Sequence, residues 1–141
     1  VSSTFAEALD KVGVTVPAHL EADAEIPVDT RPQAQGDLLI IPMADAVLDG
    51  VDFQRVPDAG VQVVFGEATG NSHWLHRGFD SPDVTFARAS SGQRILLFVV
   101  PEGQTAQLIH TDEHGAAGIG PGVYAIHEKR EQADEERRVT D

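Results

Sequence analysis

The sequence predicts an all-β fold, an antiparallel sandwich or small barrel of about seven or eight short strands. Apolar residues arrive in bursts of strand length, several bursts alternate between apolar and polar residues, and Gly, Pro, Asp and Ser clusters separate them. No second helix-rich block follows, so nothing supplies the crossovers of a βαβ repeat.

The first 35 residues differ in texture. "STFAEALDKV" (3–12) spaces Phe5, Ala8, Leu9 and Val12 at helical intervals behind Ser and Thr caps, which predicts a short N-terminal helix. The following "VTVPAHLEADAEIPVDTRPQAQ" carries Pro17, Pro27 and Pro32, scattered acids and few large apolar groups. That composition suits an extended segment lying over a surface, so 1–35 is expected to be an arm and 36–141 the β domain.

The expected strands are 37–42, 51–56, 61–66, 72–76, 83–88, 94–100, 105–110 and 123–128. Val51, Phe53 and Arg55 alternate with Asp52, Gln54 and Val56, and the turn sequences "DAG", "SSGQ", "PEGQ" and "GPG" fall between bursts. The glycines of "GAAGIGPG" lack the Lys-Ser/Thr of a phosphate-binding loop and predict a turn, with Gly120 and Gly122 at positive φ. The closing "HEKREQADEERRVTD" is a charged C-terminal element. Its i,i+4 spacings Glu131–Glu135 and Asp134–Arg138 suit an exposed helix, and a last strand that turns at Ala133–Asp134 and returns through Arg137–Val139 is the alternative.

The net charge of −13, from 23 acidic and 10 basic residues, argues against nucleic acid or an anionic membrane as the partner. The absence of cysteine excludes disulfides, iron–sulfur clusters and thiolate zinc sites, so a metal would rest on His and carboxylate. No apolar run approaches the roughly 20 residues that span a bilayer, and the first residues show no secretory pattern. Synthesis in the cytoplasm is expected.

Several segments resemble a family of small bacterial and phage proteins: "QGDLLIIP", "GEATGNSH", "HTDEHGAAGIGPGVYAI", "KRE" and "RRVTD". Those proteins carry Gly-Glu-x-Thr-Gly-His-x-His, His-x-Glu-His, a Pro-Gly-Val-Tyr turn, Gln-Arg-Glu-Tyr and a closing Arg-Arg-Val-x-Asp. The resemblance covers about residues 35–141. It implies a shared core to which 1–34 is an addition, a strand pair at the C-terminus, and, through its phage members, a place in a virion. Departures fall at Asn71, where the family has the first His of Gly-His-x-His, at Lys129 for its Gln and at Gln132 for its Tyr.

Three histidines attract a metal reading. His110 and His114 stand four apart across "TDE", where a turn at a strand end brings rings together, and His73 from "GNSHWLH", or Glu67 from "GEATG", completes a set of three. The competing reading makes His110 a strand-end residue bonded to a neighbouring carbonyl or carboxylate. Trp74 and Tyr124, the single Trp and Tyr, are the candidate partner-binding residues, against an ordinary place in the core.

Two classes of function follow. The favoured one leans away from an enzyme: a β module without cofactor that binds or reinforces a larger protein assembly, such as a phage capsid, as a decoration or minor capsid protein. Its arm would reach a neighbour, and self-association is expected. The alternative is a small cupin-like protein or metal-dependent enzyme holding one divalent transition metal on His73, His110 and His114.

Overall fold

The computed structural model describes residues 4, 26–64, 73–88, 91–110 and 115–128. In chain order the strands are β1 (Val28–Asp29), β2 (Gln33–Gln35), β3 (Leu38–Pro42), β4 (Gln54–Arg55), β5 (Val61–Gln62) and β6 (His73–Arg77). β7 (Thr85–Ala87), β8 (Arg94–Val100), β9 (Ala106–His110), β10 (Gly115–Ile119) and β11 (Gly122–Glu128) follow. They form a 5-stranded sheet in the order β1-β10-β9-β6-β5 and a 6-stranded sheet in the order β2-β3-β11-β8-β7-β4. Every pairing is antiparallel except that of β1 with β10. The predicted all-β sandwich is the observed fold.

Period-two alternation places the core. Leu38 and Ile40, Leu96, Phe98 and Val100, and Tyr124 and Ile126 project from the six-stranded sheet onto Leu75, Ala106, Leu108 and Ile119 of the other. Phe98 and Tyr124 stack with ring centroids 5.1 Å apart. Burying side chains of this size contributes roughly 1.5–3 kcal/mol each, which makes the sandwich interior the main source of stability.

The strand "RILLFVV" is apolar on both faces, with the burial pattern of a central strand. β3 and β4 run parallel in one sheet with β11, β8 and β7 between them, so residues 43–53 must cross those strands. The five-stranded sheet fills the inner side of this sheet and leaves the other side as its outer face. Leu97 and Ala125 point to that face and are nonetheless buried.

Each of the eight expected bursts contains a strand, but β1, β2 and β10 come as corrections. The arm does not run to residue 35: Ile26 is buried, β1 adds to β10 and β2 pairs β3, so 26–35 belongs to the two sheets. The Gly120 N–H donates to Asp29 O at 3.0 Å and the Gln33 side chain to Gly118 O at 3.0 Å, satisfying backbone groups that an arm would leave to water. Of the stretch 1–25 only Thr4 is described, and it sits in a β-bridge, not a helical turn. The rest of the expected helix at 3–12 and the charged element at 129–141 lie outside the described residues. "GAAGI" is a strand, not part of a turn, and Gly122 takes positive φ but Gly120 does not.

Candidate functional site

His73 and His110 are cross-strand partners on β6 and β9, on the face that carries Leu75 and Leu108. Their rings stack with centroids 4.1 Å apart and planes 8° from parallel. Both lie inside the sandwich, 4% and 3% exposed. The turn between β2 and β3 roofs the pair: Gly36 adopts φ +56, and a Cβ there would stand 3.2 Å from His73 Nε2 and 3.6 Å from His110 Cε1. Only glycine combines that backbone with that clearance. Beside it, the Gln35 side chain donates to Leu108 O at 2.8 Å, fixing the roof to β9.

The fold thus brings together two of the three predicted ligands, while His114 lies outside the described residues. An imidazole lone pair lies in the ring plane, and a transition metal sits about 2.0–2.1 Å along it. Two nearly parallel planes separated by a ring stack do not meet at such a point, so a shared ion requires one ring to leave the stack. Among the described residues, no group of three or more His, Asp or Glu side chains is placed to hold an ion.

Tyr124 lies in the core. It is 1% exposed, and its hydroxyl donates to Gly120 O at 2.8 Å and reaches Pro121 O at 3.2 Å. This is the geometry of a tyrosine corner, in which a strand-initial Tyr ties its phenol to the backbone just upstream. A Cβ on Gly122 would lie 2.9 Å from Tyr124 Oη, so "PGVY" is a structural unit. Burial, and then the charge of Asp29, push the phenol pKa up and keep the hydroxyl a donor. Trp74 is half-buried, level with Ile109 of β9 and with Gln62 of β5.

Sequence reasoning passed over the loop from Gly78 to Asp83, "GFDSPD". Phe79 is 47% exposed there, and Val28 is the other exposed large hydrophobic among the described residues. The loop is braced from within and from the 101–105 turn. The Gly78 N–H donates to Thr105 O at 2.8 Å, Thr105 N–H to Ser81 Oγ at 2.9 Å, and Ser81 Oγ to Phe79 O at 3.3 Å. Asp83 N–H donates to Gln104 Oε1 at 2.9 Å, and Gln104 Nε2 to Asp83 Oδ2 at 3.1 Å. Asp80, directly after Phe79, is the one described non-glycine residue at positive φ, +55. The loop walls a cleft of about 640 Å³ lined by Asp58, Ala59, Arg77, Gly78, Phe79 and Asp80, with Arg77 donating to Asp58 at 3.0 Å. A lone Phe in a run of turn formers was the available signal.

A second cleft, of about 480 Å³, opens between the edge strands β4 and β5, with Gln54, Gln62, Phe86 and Arg88 in its wall. Arg88 closes its floor by donating to Val63 O at 2.9 Å and to Gln62 O, which ties the two sheets together.

Residues 34–129 match the family model described as "Domain of unknown function (DUF8820)", which is more than half of the chain. The chain belongs to this family. No curated protein and no solved structure matches it. No helix among the described residues is long and apolar enough to cross a membrane.

Proposed function

We propose that the protein is a non-enzymatic β module that joins a larger protein assembly, with the Phe79 loop as its contact. The observation that carries this reading is an exposed phenyl ring on a loop that hydrogen bonds hold in one shape. A single exposed apolar residue is ordinary; one whose backbone is fixed in advance loses little entropy on binding and suits an interface anchor. Following the resemblance to phage proteins, the assembly is a virus particle, in which the chain serves as a decoration or minor capsid protein. Affinity capture from the source cells with the full chain and with Phe79→Asp tests this. A specific set of co-purifying proteins that Phe79→Asp loses supports the reading, and equal recovery by both chains overturns it.

The pairing of His73 with His110 across β6 and β9 supports a second reading, a metal-binding protein in which one ring leaves the stack and His114 supplies a third ligand to one divalent transition metal. Stoichiometric metal in the purified chain, released by His110→Ala, would establish it.

A further inference from the structure

We infer that the partner surface seated on the Phe79 loop is basic, an apolar side chain flanked by Lys or Arg. This inference rests on the proposed contact and adds its chemistry. Four acids stand on the loop or beside it, two of them, Asp58 and Asp80, in the cleft wall with Phe79. Asp58 is on the cleft wall with its side chain 95% exposed, and Asp80 follows Phe79 as an exposed residue. Asp83, 49% exposed, closes the loop, and the exposed Glu102 belongs to the turn that braces it. Among the described residues Arg77 pairs with Asp58 at 3.0 Å and Arg55 with Asp83 at 3.1 Å, which matches two of the four acids and leaves the surface the excess negative charge of Asp80 and Glu102. An apolar anchor on a surface with excess negative charge complements an apolar residue flanked by bases.

The same arithmetic disfavours a second copy as the occupant. A symmetric contact would set acidic surface against acidic surface, between chains that each carry −13. Surface charges act over about 8 Å at physiological ionic strength, so the local excess outweighs more distant charge.

The probe is a pair of short synthetic peptides with the same central leucines, one flanked by lysines and the other by glutamates, titrated into the full-length chain and followed by amide NMR. The lysine peptide is expected to shift Gly78, Phe79 and Asp80, to weaken about tenfold with Phe79→Ala, and to weaken with added salt. Asp58→Asn and Asp80→Asn should each reduce its affinity several-fold while leaving amides away from the loop unmoved; Asn keeps the left-handed conformation accessible at position 80. Equal binding of both peptides, shifts centred elsewhere, or no binding of either overturns the inference. If neither peptide binds while Phe79→Asp still abolishes capture, the basic partner is wrong and the contact stands. If the lysine peptide binds at Phe79 while Phe79→Asp leaves capture intact, the surface chemistry is right and the role in assembly is not.

Discussion

At Tyr124 a single hydroxyl closes the turn into β11 by donating to Gly120 O, with Pro121 O close by. Removing it leaves buried carbonyls short of a donor while the ring stack on Phe98 stays in place. Tyr124→Phe should therefore lose about 1–2 kcal/mol of stability, read as a lower urea midpoint at unchanged slope. His127 gives a pH signature. Burial first, then the charge of Arg94, lower its pKa from the ordinary 6.5. The unfolded chain then takes up this proton before the folded one does, so His127 makes stability rise with pH between the folded value and about 6.5, and leaves it level above. His127→Gln should remove that part of the slope between pH 5 and 7; an unchanged difference in urea midpoint across this range would contradict the assignment.

Among the elements, β10 and the segment that lies along it show what kind of information the sequence withheld. Small residues made "GAAGI" look like a turn, yet in β10 smallness is a packing requirement. A Cβ on Gly118 would come within 2.5 Å of Pro27 O, so glycine lets β1 approach. Gly118→Ala should push β1 off its neighbour and cost about 1–3 kcal/mol. Hydrogen exchange at Gly120 N–H, which donates to Asp29 O, should accelerate in that variant more than exchange in β8. The long apolar runs were legible because burial on one or both sheet faces writes itself as hydrophobicity: "RILLFVV" became β8 with the bounds expected. The polar β1 and β2 were not, because edge strands of 2 and 3 residues are held by long-range partners such as Gln33 with Gly118 and carry no periodic signal. The site was half legible. Histidine spacing singled out His110 and His114 and added His73 as a completing residue, but that His73 and His110 meet and stack depends on the register of β6 with β9. The Phe79 loop offered only a lone Phe among turn formers, since its order comes from Thr105 and Gln104, distant in the chain.

At the scale of the whole molecule, both sheets end, among the described residues, in very short strands: β1, β4 and β5 have 2 residues each and β2 has 3. Edges this short offer little template for strand pairing between copies, which directs attention from sheet edges to loops as contact surfaces. The chain's strong negative charge opposes self-association through like faces and suits a partner of opposite sign. The most direct measurement places a benzophenone side chain at position 79 in the full-length protein inside its source cells and, as a control, at position 28, the other exposed apolar site. On irradiation, position 79 should yield an adduct of discrete mass with one protein partner and position 28 should not. No adduct at 79, or the same adducts at both positions, would contradict the assignment of this loop as the partner contact.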